Sequence, residues 1–320
     1  MKKEIKIFCA KDWSFDSAQN KAGYEMLDTG EGEKLERFGP YTFVRPYEDA
    51  VWKKTLDKKE WEKADGKFWS SKEGAKAGWK MSKTVFDMKK KWEMEYKPAR
   101  HASQGDAGGG IKFLAMPTPF RHLGFFPEQA THWDFIEEKI AKKSSASQSS
   151  RIRFLNLFGY TGVASLFALR AGAEVTHIDA SKQTVEWVKE NQKLNNFEKM
   201  PMRIICEDVM KFLEREIKRG NKYDAVIMDP PKFGRGPKGE IWKIEKDLPI
   251  LLSQVRKVLS DKPLFIILNS YAIDSSSLLL GYALENAMSG LVGEVSCGEL
   301  CLLEKSNNRI IPLSNTAIFC

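Results

Sequence analysis

The fold is decided by residues 152–179, which read IRFLNLFGYTGVASLFALRAGAEVTHID. An apolar run, Ile152–Phe158, ends in the turn Gly159-Tyr-Thr-Gly162, and a helical segment, Val163–Ala171, leads to a second apolar run, Val175–Ile178. Short apolar runs bounded by turn residues are typical of buried strands. The order strand, helix, strand predicts a βαβ unit with parallel strands.

The same alternation continues to the end of the chain. Further helices are predicted at Gln183–Asn195, Val209–Arg219, Leu248–Leu259 and Leu278–Met288. Further strands are predicted at Arg203–Cys206, Tyr223–Met228, Leu264–Leu268 and in two late apolar runs. Repeated βα units predict an α/β domain over residues 151–320, with a Rossmann-like, mostly parallel, seven-stranded sheet. Ligands of such sheets bind beyond the carboxyl ends of the strands.

The chain before this domain has a different composition. Residues 1–110 alternate short apolar runs with turn residues, which predicts a smaller β-rich domain. Five of the nine tryptophans lie between residues 52 and 92, and they either form its core or stack on bases. They are Trp52, Trp61, Trp69, Trp79 and Trp92. Residues 111–143 form a segment that contains a predicted helix, Thr131 to Lys143, and a serine-rich linker follows.

Composition restricts the class of protein. The chain has a net charge of +8 and a pI near 9.0, and residues 51–100 hold 15 Lys and Arg against 8 Asp and Glu. A basic stripe suits nucleic acid, although it could equally be a solvated surface. No apolar stretch reaches the ~20 residues of a membrane span, and no secretory signal is present, so we expect a cytoplasmic protein. The five cysteines are scattered without a CxxC pair, which predicts neither a disulfide framework nor a metal site.

Acidic residues follow three consecutive predicted strands. Asp179 ends the second strand, about 20 residues after the glycine turn, which is the placement of an acid that binds ribose hydroxyls. Asp208, which follows Glu207, could accept a hydrogen bond from an adenine amino group. Either aspartate could instead cap the helix that follows it.

The strongest local signal is Asp229-Pro-Pro-Lys-Phe233, directly after a buried strand. Two prolines fix the direction of the chain and leave carbonyls without a competing N–H. Asp229 and the Pro230 carbonyl could therefore face one donor of a substrate, and Phe233 could stack on a base. Lys232 is either a phosphate contact or a solvated charge.

Taken in this order, the motifs resemble class I S-adenosylmethionine-dependent methyltransferases, and more narrowly the bacterial 23S ribosomal RNA methyltransferases that modify cytosine C5 or guanine N7. The segment His122-Leu-Gly-Phe-Phe-Pro-Glu-Gln129 is similar to one that those enzymes place over the cofactor. The resemblance covers roughly residues 113–275, and it implies S-adenosylmethionine as the cofactor. The residues implied to bind it are Phe126, Gln129, Asn156, Phe158, Gly159, Thr161, Gly162, Asp179, Ala180, Asp208 and Asp229.

One departure from the family bears on the chemistry. Cytosine C5 is a poor nucleophile, and its methylation needs a cysteine thiolate that first adds to the ring. Relatives with this activity carry that cysteine just after the next strand, where this chain has Leu268-Asn-Ser-Tyr271. We therefore expect the acceptor atom to be a nitrogen, methylated by direct in-line displacement, with catalysis mainly by positioning through Asp229, Pro230 and Phe233.

Three functions remain open at this point. The first is a methyltransferase for RNA, with ribosomal RNA favoured and the basic region gripping phosphates. The second is a methyltransferase for a protein or a small molecule. The third is an NAD-dependent enzyme or a non-catalytic binding module on the same fold, which the missing GxGxxG fingerprint opposes. The oligomeric state stays open.

Overall fold

The computed structural model describes residues 4–10, 13, 22–69, 77–82, 90–98, 109–146, 151–235, 239, 241–271 and 276–320. The chain divides into two compact units. One, here called the sheet unit, consists of Met1–Phe8, Thr131–Leu300 and Pro312–Cys320. The other, here called the amino-terminal unit, consists of Cys9–Ala130 and Cys301–Ile311. The boundaries expected from the sequence, near residues 110 and 150, therefore differ from this division. The start of the chain, Met1–Phe8, belongs to the sheet unit, and the late segment Cys301–Ile311 belongs to the amino-terminal unit.

The secondary-structure elements are numbered in chain order. The strands are β1 Ile5–Ala10, β2 Tyr24–Gly30, β3 Glu33–Phe38, β4 Tyr41–Pro46, β5 Gly66–Trp69, β6 Gly78–Met81, β7 Trp92–Tyr96, β8 Ile111–Ala115, β9 Arg153–Leu157, β10 Glu174–Asp179, β11 Met202–Cys206, β12 Ala225–Met228, β13 Phe233–Arg235, β14 Ile241–Lys243, β15 Phe265–Ser270, β16 Val295–Leu303 and β17 Ile310–Phe319. The helices are α1 Lys58–Glu62, α2 Ala130–Ala146, α3 Val163–Arg170, α4 Lys182–Leu194, α5 Val209–Arg219, α6 Ile244–Val258 and α7 Ser277–Ala287. Among the described residues no helix is both long and apolar enough to cross a membrane.

The α/β fold predicted from the sequence is confirmed. The largest sheet among the described residues has the strand order β1-β16-β17-β15-β12-β9-β10-β11. Its pairings from β15 through β12, β9 and β10 to β11 are parallel, whereas β17 runs antiparallel to β15. The sheet has eight strands rather than the expected seven, because β1 from the start of the chain forms the edge beside β16. No local pattern near β1 could indicate a partner almost 300 residues away.

The main apolar core lies between one face of this sheet and helices α5 to α7. Helix α5 shows why the sequence folds in this way: its buried residues Val209, Phe212, Leu213 and Glu216 follow helical spacing. Asp208 caps its start, and Gly220 ends it with a φ of +68°. Burial of each large apolar side chain stabilises the fold by about 1.5–3 kcal/mol, so Phe212→Ala would cost about 3–5 kcal/mol.

The amino-terminal unit is β-rich, with a five-stranded sheet β2-β3-β4-β5-β6 and a two-stranded sheet β7-β8 among its described residues. Its core is aromatic: the rings of Tyr24, Phe38 and Phe43 follow one another at centroid distances of 5.0 and 6.1 Å. Of the five tryptophans, Trp61 is buried, three are half-buried, and Trp69 is 42% exposed. The core role therefore holds fully for Trp61 and in part for three others, and stacking on bases stays a prediction.

Candidate active site at the carboxyl ends of the strands

The glycine turn after β9 has an unusual backbone. Phe158 and Tyr160 have φ angles of +57° and +50°, and Gly162 has a φ of +84°. A left-handed conformation costs a non-glycine residue about 1–3 kcal/mol, so the surrounding structure must hold it in place. A side chain at Gly159 would clash with the buried imidazole, because a Cβ there would lie 2.3 Å from His177 Cε1. The sequence indicated the two glycines but not the strain at their neighbours.

A buried polar network supports this turn from below. Asn156 Nδ2 donates to Ser165 Oγ at 2.9 Å, and Ser165 Oγ lies 3.1 Å from His177 Nδ1. Burial lowers the pKa of His177 to about 4, so the ring is neutral at pH 7. Asn156, expected to bind cofactor, is 4% exposed and belongs to this support. Sequence analysis missed His177, which reads as an ordinary strand residue.

Asp179, expected to bind ribose, also holds the turn. Its Oδ2 accepts the Tyr160 N–H at 2.9 Å, and its Oδ1 accepts from the Ser181 N–H and the Thr184 hydroxyl at 2.9 and 2.8 Å. Burial raises the pKa of Asp179, and these hydrogen bonds oppose that rise. The helix cap itself is Ser181, which accepts from the Thr184 N–H. A carboxylate has about four acceptor positions, and these contacts use three of them. One acceptor position remains on Oδ2, and its contact with a ribose hydroxyl stays a prediction.

The third strand end combines a cap with an ion pair. Asp208 Oδ1 accepts the Lys211 N–H at 3.0 Å as the N-cap of α5, which uses one of its two oxygens. Glu207 pairs with Arg215. Ala180 is half-buried, and its carbonyl accepts from Cys206 Sγ at 3.6 Å. The alternative prediction, that Asp208 caps the following helix, is thus confirmed. The cap leaves its second oxygen unused, and a contact between that oxygen and adenine stays a prediction.

The Asp229-Pro-Pro-Lys-Phe233 segment continues into a hairpin. β12 ends at Met228, and β13 pairs antiparallel with β14. Trp242 in β14 donates its indole N–H to the Pro231 carbonyl at 2.6 Å, and its ring lies 5.4 Å from that of Phe158. Phe233 is 51% exposed. The hairpin therefore links the glycine turn to the segment expected to face the acceptor. Trp242 was missed because the contact depends on a hairpin that the short motif does not indicate.

The expected cofactor-covering residues Phe126 and Gln129 lie in the amino-terminal unit, where both are half-buried. The start of their segment is anchored by Arg45, whose Nη1 donates to the Arg121 carbonyl at 2.9 Å. Arg45 also forms a bidentate pair with buried Glu36 at 2.6 and 2.7 Å. Burial by itself would raise the pKa of Glu36, but Arg45 outweighs it and the pKa is about 2. The part of this segment in cofactor binding stays a prediction.

The residues at the strand ends fit S-adenosylmethionine. Helix α3 begins at Gly162 with no side-chain cap among the described residues, so its first N–H groups suit a carboxylate such as that of the methionine portion. Asp179 retains one acceptor position for a ribose hydroxyl, and Asp208 retains one oxygen for an amine. Thr161 is 1% exposed, and its carbonyl accepts from Asn191, so it shapes the turn from within.

This arrangement defines a Rossmann-like sheet whose carboxyl edge suits an adenosyl cofactor. The family model for S-adenosylmethionine-dependent methyltransferases matches residues 121–295. A crystal structure described as the S-adenosylmethionine-dependent methyltransferase from Agrobacterium tumefaciens is 36% identical, with a TM-score of 0.84 over 98% of this chain and 93% of the other. The chain belongs to the family of S-adenosylmethionine-dependent methyltransferases.

Two further comparisons bear on the fold and on the relatives. The structure of SMU.776, complexed with S-adenosylhomocysteine, has a TM-score of 0.65 and 16% identity over 95% of this chain and 77% of the other, which shows the shared fold. Ribosomal RNA large subunit methyltransferase K from Neisseria meningitidis is 30% identical over 128 residues, which is 39% of this chain and 36% of that protein. The chain thus spans about a third of that curated relative.

Proposed function

We propose that this chain methylates RNA, with ribosomal RNA as the favoured substrate, at a nitrogen atom and without a cysteine nucleophile. The observation that carries the proposal is Asp229-Pro-Pro-Lys-Phe233, at the carboxyl end of β12 beside the glycine turn, with the Phe233 ring exposed. A half-exposed phenylalanine is a suitable surface for an unpaired base. The family relative named as a ribosomal RNA methyltransferase supports the choice of RNA. This substrate also agrees with the cytoplasmic location expected from the sequence.

Asp229, Pro230 and Phe233 are each proposed to have a separate role. S-adenosylmethionine, when bound, supplies an electrophilic methyl group. The Asp229 carboxylate accepts a hydrogen bond from the N–H of the acceptor and directs the nitrogen lone pair, and the Pro230 carbonyl adds a second acceptor. Phe233 stacks on the base and holds its plane. Positioning of this kind can account for most of the rate of a direct displacement.

The position of the cysteines supports transfer to nitrogen. Cys206 ends β11, which the strand order separates from β12 by β9 and β10. At a spacing of ~4.8 Å between strands, it lies ~14 Å from the acceptor side. β15, which is adjacent to β12, ends with Ser270 and continues to Tyr271. Covalent activation of cytosine C5 by a thiolate therefore has no candidate at these two strand ends.

The amino-terminal unit is proposed to contact the phosphate backbone. A cavity of about 430 Å³ in this unit is lined by four lysines together with Trp61. They are Lys54, Lys58, Lys67 and Lys80. Glu33 accepts from Lys54 at 2.8 Å and from Lys67 at 2.5 Å. Glu62, which also lines the cavity, pairs with Lys58 at 3.4 Å, so only part of the positive charge is available to RNA. Binding through such contacts would weaken steeply with salt.

The test is incubation of the full chain with S-adenosylmethionine labelled in the methyl group and, separately, ribosomal RNA, intact ribosomal subunits and total protein from cells that lack the gene. We expect label in RNA, and nucleoside mass spectrometry should find it on a base nitrogen. Asp229→Asn is the matched control, because it keeps the shape of the side chain. Label confined to protein would overturn the proposal, and 5-methylcytidine as the product would overturn its chemistry.

A further inference from the structure

Strand β1 lies at the outer edge of the large sheet, beside β16. Its inner side is fixed by close packing, because a Cβ at Gly298 of β16 would collide with the Lys6 carbonyl oxygen. On its outer side, no strand pairs with it within the described part of the chain. An edge strand presents a row of unpaired backbone N–H and C=O groups, which another extended strand can bind.

The side chains of β1 alternate between two faces. Glu4, directly before the strand, lines a cavity of about 860 Å³ together with Lys6 and Phe8, so these three share one face. Ile5 and Ile7 belong to the other face, and they are 50% and 59% exposed. Two exposed isoleucines on an edge strand favour association with another strand, whereas a lysine on such a strand opposes it unless an acid lies opposite.

The order Glu4-Ile5-Lys6-Ile7 is complementary to itself. If two copies pair antiparallel about a two-fold axis at Ile5, Glu4 of each copy lies opposite Lys6 of the other. A shift of one residue would place Ile5 opposite a charged residue, and a shift of two would place like charges opposite each other. Directly opposed charges of opposite sign stabilise a strand pair, and like charges destabilise it. The charge pattern therefore favours this one register, and its occupant is a second copy of the same strand.

We propose that β1 is the interface of a symmetric dimer, in which it pairs with β1 of a second copy of this chain. The contact is isologous, and it joins the two large sheets into one. This inference goes beyond the proposed function and does not depend on it. The two-fold axis reverses the strand direction, so the carboxyl edges of the two copies point in opposite directions and the two sites work independently. An interface built on one strand pair is small compared with the ~1,600 Å² of a standard complex, so the dimer dissociates reversibly.

The test is sedimentation velocity on the full chain without an affinity tag. We expect the wild type to pass from monomer to dimer between about 1 and 200 µM, the range of a weak complex. Glu4→Lys and Lys6→Glu should each raise the Kd of the dimer by about tenfold or more, because both opposed pairs then carry like charges. The double variant Glu4→Lys/Lys6→Glu should return to the wild-type Kd, since exchanging the two charges preserves their complementarity.

A mixture of the two single variants gives the sharpest result. Glu4→Lys carries two lysines on this face and Lys6→Glu carries two acids, so we expect a heterodimer although each variant alone stays monomeric at the same concentration. Glu285→Lys is the matched control, because it reverses a charge on the wall of the same cavity but outside β1. Its dimer should have the wild-type Kd.

A wild-type chain that stays monomeric over the whole range overturns the inference, and so does a dimer whose Kd ignores both single variants. Failure of the mixed variants to associate overturns it as well. Melting temperatures show whether each variant folds, and if the double variant does not, the mixture still decides. Methyl transfer per chain should be equal in the wild type and the single variants, so a failure of the proposed function would leave this inference untouched.

Discussion

The two halves of the carboxyl edge of the sheet differ in how far their described residues are held by contacts within the chain. On the side of β9 and β10, the glycine turn is held by Asp179, and the network of Asn156 and Ser165 supports it. On the side of β12, by contrast, Phe233 in the segment that follows the strand is half-exposed. This difference agrees with the roles proposed above, in which the protein preforms the cofactor side and the substrate completes the acceptor side.

The largest expected effect falls on the acceptor side. Asp229→Ala should lower kcat by about 10²- to 10⁴-fold, because it removes the group that orients the acceptor N–H. The Kd for S-adenosylmethionine should change little. Steady-state kinetics with calorimetry on the same preparation measures both. Unaltered turnover would remove Asp229 from the catalytic residues and break the contrast between the two sides.

The next effect is on stability and depends on pH. His177 beneath the turn has a pKa of about 4 in the folded chain, against about 6.5 when unfolded. A depressed pKa of a base means that the unfolded state takes up the proton first. The contribution of His177 to stability is thus fully present above pH 6.5. As the pH falls from 6.5 towards 4, the free energy of unfolding decreases by about 3 kcal/mol on account of this residue.

Urea unfolding at pH 7.5 and at pH 5.0 checks this expectation. His177→Gln should be less stable at pH 7.5 and should show a smaller loss between the two values. His132→Gln is a useful comparison, because burial also lowers the pKa of His132, to about 3, away from the glycine turn. An equal pH dependence in the wild type and the His177 variant would contradict the assignment.

On the cofactor side, Asp179→Ala should weaken binding of S-adenosylmethionine by about 1–3 kcal/mol, through the loss of hydrogen bonds to a carboxylate. The expected result is the opposite of that for Asp229→Ala, because the affinity for S-adenosylmethionine falls while the residues expected to contact the acceptor are unchanged. Thr184→Val removes only one donor to this carboxylate and should have a smaller effect. Calorimetry on both variants distinguishes them, and wild-type affinity in Asp179→Ala would mean that the ribose lies elsewhere.

The smallest expected effect concerns the link between the two sides. Trp242→Phe keeps an aromatic ring near Phe158 but removes the N–H that donates to the Pro231 carbonyl. The loss of one such bond should lower stability by about 0.5–1.5 kcal/mol. We expect kcat for RNA to fall more than cofactor affinity, since the displaced segment carries Phe233. A change in cofactor affinity alone would show that the tryptophan serves only the glycine turn.

The elements that the sequence predicts best are those whose signals are local. Helix α5 spans Val209–Arg219 as predicted, because its apolar stripe, its aspartate cap and its final glycine are all adjacent in sequence. Helix α6 begins at Ile244, four residues earlier than predicted, because the N–H of that residue donates to the carbonyl of Lys232 across the hairpin. The hairpin itself was not predicted, since its strands have three residues each.

The sequence by itself determined the βα alternation and the order of the strand-end residues, because apolar periodicity, glycine turns and acids after strands are read along the chain. Only the tertiary structure decided which strand ends are neighbours. Met228 at the end of β12 pairs with Leu268 of β15, forty residues away in sequence, and His177 lies beneath Gly159, because parallel pairing is set by the packing of whole strands. No local pattern in the sequence encodes those two juxtapositions.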